Sequence, residues 1–321
     1  MLGTRLCRQV AQRILLTGAG GNLGQDMVVY LQQKYGAANV LATDFSMRKF
    51  KWPSATQFKK LDVMDDVAVD KVAGEFKPTR VFHLASIFTE SEQDPQKALK
   101  VNMEGVKNML EVAKKYNCSV FFPSTVGAFG PGTPQVPTNL EIMRPITIYG
   151  ITNIHMELLG EYYHRRYRVD MRSARVPIVN SWQDVSGGTS DFTVNVFFDL
   201  FRTNKAVMPV WEDVKMPLIY LPDVLRSLDE LMEAPNEKLT ARVYTMACVS
   251  VTAKEYGDQL LKLFPGAEVS YEPDYRDELV RTWPSATDAS VAQRDWGHHL
   301  TYDLPAMLKD MYLKIKAKLG K

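Results

Sequence analysis

The stretch "RILLTGAGGNLG", residues 13–24, decides how the rest of the chain is read. An apolar run (13–18) ends in glycine, and residues 22–35 follow with helical periodicity, so the segment reads as strand, tight turn, helix. Gly18, Gly21 and Gly24 stand at G-x-x-G-x-x-G spacing across that turn. The chain there must turn sharply, bring backbone N–H groups to a pyrophosphate and pack its helix closely on a sheet, and a side chain would obstruct each of these. Asp44, at the end of the next β-rich run, "VLATD" (40–44), supplies a carboxylate for both hydroxyls of an adenosine ribose and would repel a 2′-phosphate. The pair favours NAD over NADP, with Arg48 and Lys49 nearby to soften the discrimination. Taken singly, the glycines also fit a merely tight turn, and Asp44 a surface aspartate.

Outward from this segment the rhythm repeats. "RVFHLAS" (80–86) and "CSVFFPST" (118–125) are apolar without alternation, as strands covered on both faces are. Residues 65–76 and 95–117 have helix-forming composition, the second opening with Pro95. Strands alternating with helices predict an α/β fold, a doubly wound parallel Rossmann sheet, whose ligand sits at the carboxyl ends of the strands. Gly18, Asp44, Ser86 and Thr125 are then expected to cluster. Beyond residue 176 the pattern changes to a polar, glycine-containing stretch (181–192). Helices near 193–203, 222–234 and 254–264 and strands near 207–211 and 217–221 follow. We read residues 1–176 as the NAD-binding domain and 177–321 as a smaller substrate-binding lobe partly interleaved with the sheet.

Of the 321 residues 45% are hydrophobic and 24% charged, an ordinary balance for a globular protein. The net charge of +2 comes from 39 basic and 37 acidic residues without a basic block, which argues against nucleic acid as partner. No apolar run approaches the roughly 18 residues needed to cross a bilayer. Cys7, Cys118 and Cys248 match no zinc spacing, so neither a metal nor a disulfide framework is expected. The first thirteen residues hold three arginines and no acid, as a short mitochondrial presequence does; a basic tail on a cytoplasmic protein is the alternative.

The glycine spacing, "HLAS" (83–86), "PST" (123–125) and "YGIT" (149–152) together resemble the extended short-chain dehydrogenase/reductases. "PSTVGAFGP" (123–131), "ELLGEYY" (157–163), "GGTSDF" (187–192), "LMEAP" (231–235), "WPSATDAS" (283–290) and "DWG" (295–297) are similar, within that family, to the L-threonine 3-dehydrogenases. The resemblance covers residues 13–310. It implies NAD-dependent oxidation of L-threonine at its 3-hydroxyl to L-2-amino-3-oxobutanoate, a step of threonine catabolism. It implies that Tyr149 is the base and that Thr125, or its neighbour Ser124, steadies the substrate oxygen. Cofactor contacts are expected from Gly18, Gly20, Gly21, Asn22, Leu23 and Gly24 and from Asp44 and Phe45. Asp62, Val63, Leu84, Ala85, Tyr149, Asn153, Pro177 and Ile178 complete that set. Substrate contacts are expected from Ser86, Ser124, Thr125, Tyr149, Thr189 and Trp283. Asp62 also reads as a solvated turn residue, and Asp191 as either an ammonium partner or the N-cap of the helix that follows. The family pairs the helices at 95–117 and 149–168 across a homodimer.

Two departures touch the same place. The family's Tyr-x-x-x-Lys becomes Tyr149-x-x-x-Asn153, so the ammonium that binds the nicotinamide ribose and lowers the phenol pKa is replaced by a neutral amide. The family's Arg-x-Pro-Gly becomes "RVPI" (175–178), with Ile178 at the glycine position. A nucleotide-sugar epimerase or dehydratase of the same superfamily is one alternative reading, and a catalytically weakened NAD-binding protein is another. His298 and His299 are read as surface residues, and Trp296 as packing.

Overall fold

The computed structural model describes residues 12–46, 52–88, 91–184 and 188–321. The basic stretch 1–11 and the Arg48 and Lys49 side chains lie outside the described residues. The elements run β1 (Ile14–Thr17), α1 (Asn22–Tyr35), β2 (Val40–Asp44), β3 (Gln57–Lys60), α2 (Asp66–Phe76), β4 (Arg80–His83), α3 (Pro95–Tyr116), β5 (Ser119–Thr125), α4 (Ile148–Tyr167) and β6 (Met171–Val176). The chain continues with β7 (Ile178–Asn180), α5 (Phe192–Thr203), β8 (Lys205–Met208), β9 (Lys215–Tyr220), α6 (Leu221–Glu233), β10 (Val243–Thr245), β11 (Val249–Thr252), α7 (Ala253–Leu263), β12 (Glu268–Tyr271), α8 (Tyr275–Val280), α9 (Ser290–Trp296) and α10 (Leu304–Lys318).

Seven strands form a parallel sheet in the order β10-β6-β5-β4-β1-β2-β3. Chain order reverses between β1 and β4, so the loops leaving these two strands diverge and open the crevice where a doubly wound sheet takes its ligand. Alternate residues feed two cores. Ile14, Leu16 and Phe82 pack with Val28 and Leu31 of α1 and Leu228 of α6. Leu15, Val81 and Val120 pack on the other face with Val72 of α2, Met109 of α3 and Met156 of α4. Each fully buried side chain of this size contributes about 1.5–3 kcal/mol.

A third core, around Phe197, Met216, Leu218, Tyr256 and Met307, holds the C-terminal elements. There β11, β9 and β7 form a small mixed sheet, and β12 pairs β8. Both strands expected in this region start two residues earlier than the apolar runs suggest. Asn204 takes the left-handed conformation that ends α5 (φ 59°), so β8 begins at once. Its alternation of exposed Lys205 and Val207 with buried Ala206 and Met208 is that of a half-covered strand.

Candidate functional site

Two glycines of the loop leave no room for a side chain. Gly18 has φ +71°, and a Cβ there would lie 2.4 Å from the Ala85 nitrogen and 2.5 Å from the Leu84 carbonyl carbon. A Cβ on Gly24 would lie 2.1 Å from the Gly18 oxygen. The loop after β1 therefore rests on the loop after β4, and Gly20 and Gly21 lead into α1, whose first turn begins with Asn22 and Leu23 and has no side-chain cap. Asp44 is buried at the end of β2, where Oδ2 accepts from the Gly20 N–H (2.9 Å) and Oδ1 from the Ser46 N–H (3.1 Å). This close-packed backbone turn, with the Asp44 carboxylate beyond it, fits the pyrophosphate and ribose of NAD.

The remaining cofactor candidates differ in what the fold does with them. Phe45 is 64% exposed beside Asp44. Asp62 is exposed and accepts from the Met64 N–H (2.9 Å), as a turn residue does. Val63 is buried, and its carbonyl accepts from Asn108 Nδ2 (2.9 Å). After Pro177, Ile178 opens β7 opposite Leu218 and commits its side chain to the C-terminal core.

Thr125 ends β5, and its Oγ1 accepts from the Gly127 N–H (3.0 Å), which orients the hydroxyl. Tyr149 stands in the first turn of α4, whose N-cap Thr147 accepts from the Gly150 N–H (3.1 Å). A Cβ on Gly150 would lie 2.5 Å from the Gly127 oxygen, so the helix that carries Tyr149 sits directly on the turn that follows Thr125. Burial pushes the Tyr149 phenol up to about 12, and an Asn153 amide contact pulls it partly back. Asn153 also gives one N–H to the Tyr149 carbonyl (2.9 Å). That carbonyl accepts from Thr152 Oγ1 as well (3.0 Å).

Sequence reasoning missed Asn102. From α3 it donates to Thr152 Oγ1 (3.1 Å) and clamps Ile87 through both its N–H (2.7 Å) and its carbonyl (3.1 Å). The signal was a polar residue inside the buried stripe Ala98, Asn102, Gly105, Val106 and Met109. The clamp fixes the loop that carries exposed Ser86 and places Phe88 against the Tyr149 ring (centroids 4.6 Å).

Ser124 requires a correction. Successive strand residues face opposite sides, and Ser124, 2% exposed, turns away from Thr125 to donate to Glu157 Oε1. Its hydroxyl is committed to Glu157 and is not presented beside that of Thr125. Trp283 lies against the turn after Thr125, its Nε1 3.9 Å from where a Cβ on Gly127 would be. Gly188 packs on Phe88, and its N–H donates to Asp191 Oδ2 (2.8 Å), with half-buried Thr189 between them in sequence. Asp191 occupies the N-cap position of α5 without bonding its N–H groups, and burial raises its carboxyl above the usual range.

His298 is the second correction. It is 1% exposed, with Nδ1 against Ser227 Oγ (3.1 Å) and Nε2 accepting from the Ala247 N–H (2.9 Å), and burial lowers its pKa to about 4. His299 is exposed. Among the described residues no group of His, Cys, Asp and Glu is placed to hold a metal, and no helix is long and apolar enough to cross a membrane.

Comparison with known proteins agrees with this geometry. Residues 14–247 match the family described as NAD dependent epimerase/dehydratase. The chain is 34% identical over 304 residues to the mitochondrial L-threonine 3-dehydrogenase of Bos taurus, covering 94% of this chain and 82% of that one. Among solved structures, the L-threonine dehydrogenase of Clostridium difficile superimposes with a TM-score of 0.93 at 33% identity, covering 96% of this chain and 98% of that one. A monomeric L-threonine 3-dehydrogenase from a metagenome gives a TM-score of 0.89 at 32% identity, with coverage of 96% and 100%.

Proposed function

Because the chain belongs to the NAD dependent epimerase/dehydratase family, with NAD as its cofactor, we propose that this oxidoreductase acts on L-threonine, converting it to L-2-amino-3-oxobutanoate. The observation that carries the reading is the seating of α4 on the turn after Thr125, which brings a phenol and an oriented hydroxyl to the same end of the sheet. NAD, when bound, supplies the acceptor for the hydride that leaves C3. Tyr149 accepts the proton of the 3-hydroxyl, and Thr125 donates to the same oxygen. Thr189, Ser190 and Ser86 offer neutral donors to the carboxylate. Trp283 covers the Thr125 turn and limits water.

The test is NADH absorbance after mixing protein, NAD and L-threonine at neutral and alkaline pH, with a nucleotide sugar as the parallel substrate. NADH formation with threonine alone supports the proposal. Conversion of the nucleotide sugar alone replaces it with the epimerase reading. NAD binding without turnover of either favours the weakened reading, for which Asn153 without an ammonium is the specific observation.

Two further assignments belong to the same proposal. Ile151, Leu158 and Tyr162 leave an exposed apolar stripe along α4, which supports pairing of α3 and α4 across a homodimer. Sedimentation decides between that and the monomer known for the metagenomic relative. The acid-free, arginine-containing residues 1–13 and the mitochondrial bovine relative support a matrix location, which import of a fluorescent fusion tests.

A further inference from the structure

We infer that the buried Glu157–Arg175 pair is a positioning element for Tyr149 and Thr125, an inference that rests on reading these two as the reacting hydroxyls. Ser124 on β5 and Arg175 on β6 are register partners. Glu157 comes down on them from α4. It accepts from Ser124 Oγ and takes Arg175 in a fork, Nε to Oε1 (3.0 Å) and Nη2 to Oε2 (2.8 Å). Arg175 Nη1 donates to the Asn139 carbonyl (2.9 Å), and the Asn139 side chain bonds the Val243 carbonyl (2.9 Å) and the Thr245 N–H (2.8 Å). The grip thus runs from α4 through β5 and β6 to the sheet edge, with every member buried.

An ion pair is a poor device for stability alone, because desolvation offsets most of its attraction and apolar packing of the same volume does as well. What a forked carboxylate–guanidinium contact adds is a fixed orientation and distance. Glu157 lies two turns beyond Tyr149 on one helix, about 12 Å along its axis, and Ser124 directly precedes Thr125. Any slide or rotation of α4 over β5 would therefore separate the two reacting hydroxyls. The Asn102–Thr152 contact ties α4 to α3, whereas the Glu157 fork ties it to β5 and β6.

Glu157→Asp keeps the charge and draws the carboxylate back by one methylene. Its kcat is expected to fall by about 10- to 100-fold, since a misplacement on the order of 1 Å can cost ~10². KM for threonine and the Kd for NAD should stay within a few-fold. Ser124→Ala leaves the ion pair whole and should show the same split with a smaller factor, and it decides the matter alone if Glu157→Asp does not fold. Crystal structures of the native protein and the variants supply a readout free of substrate identity, the Tyr149 Oη to Thr125 Oγ1 separation, expected to change in the variants. Absence of threonine turnover by the native protein would sink the proposed substrate, while this separation still tests the positioning role. Native kcat in a variant with a lowered Tm, an unchanged separation, or an equal loss of NAD affinity would each overturn it.

Discussion

Asn153→Lys puts an ammonium on the face of α4 that carries Tyr149, one helical turn away. In the native chain Asn153 is 7% exposed, one of its N–H groups is held by the Tyr149 carbonyl, and the phenol stands at about 12. To accept a proton near pH 7 that phenol must come down by about five units, roughly 7 kcal/mol at 1.36 per unit. An ammonium ~4 Å away in an effective dielectric of ~20 supplies about 4 kcal/mol. The amide it replaces supplies about 1 kcal/mol. The net gain of about 3 kcal/mol is worth about two pKa units.

The sign follows from phenolate being the active form: a lower pKa moves the rising limb of the pH–rate profile to lower pH. At a fixed pH on that limb the rate rises by up to ~10²-fold, less the basicity that a lower pKa gives up. The positive nicotinamide of bound NAD acts in both proteins and cancels. The assay is kcat against pH for both proteins at saturating NAD and threonine. The expected result is a limb displaced by about two units with the Kd for NAD changed only a few-fold, because either side chain can donate to ribose hydroxyls. Superimposed profiles would refute the reasoning, since another group would then already tune Tyr149 or proton transfer would not be in the slow step.

Three further outcomes are expected. Tyr149→Phe should lower threonine turnover by about 10²–10⁴-fold with NAD affinity within a few-fold, measured by initial rates and by titration; native turnover would move the base elsewhere. NAD should bind at least about tenfold tighter than NADP, since the buried Asp44 carboxylate would face a 2′-phosphate, and Asp44→Ala should narrow the ratio; equal Kd values in the native protein would contradict it. His298, held at about 4 in the fold against about 6.5 unfolded, is neutral when folded. Its contribution, on the order of 3 kcal/mol, is complete above about pH 6.5 and lost as pH falls through about 4. The Tm of the native protein should fall over that window, and more shallowly in His298→Gln; parallel slopes would assign the acid sensitivity to other groups.

The sheet was legible where local rules decide it. β1, β2, β4 and β5 are apolar on both faces because both faces are covered, and the glycine spacing from β1 into α1 announces a tight turn that admits no side chain at Gly18 or Gly24. β3, "QFKK" at the sheet edge, carries little of that signal because its side chains are largely exposed. Thr125 could be told from Ser124 only by strand alternation together with knowledge of which face α4 covers. His298 looked like a surface residue because its partners, Ser227 and Ala247, are fifty and more residues away. Glu157 and Arg175 show the same limit, since a charged residue on a helix reads as solvated until the strand beneath it is known to offer a guanidinium.

The place of β10 has a consequence for how the protein is made. β6 is complete at Val176, but its outer neighbour in the sheet begins at Val243, and α6, which covers one face, begins at Leu221. A ribosome adding about 5–20 residues per second takes roughly 3–13 s between the two strands. During that interval the nascent sheet ends in an unpaired β6 edge with an uncovered apolar face, the kind of surface that recruits other chains. Arg175 waits over the same interval for the Asn139 bonds to β10 that complete its surroundings. Synthesis past Thr245 is therefore the point at which the growing chain stops presenting a sticky edge and the helix bearing Tyr149 acquires its final support.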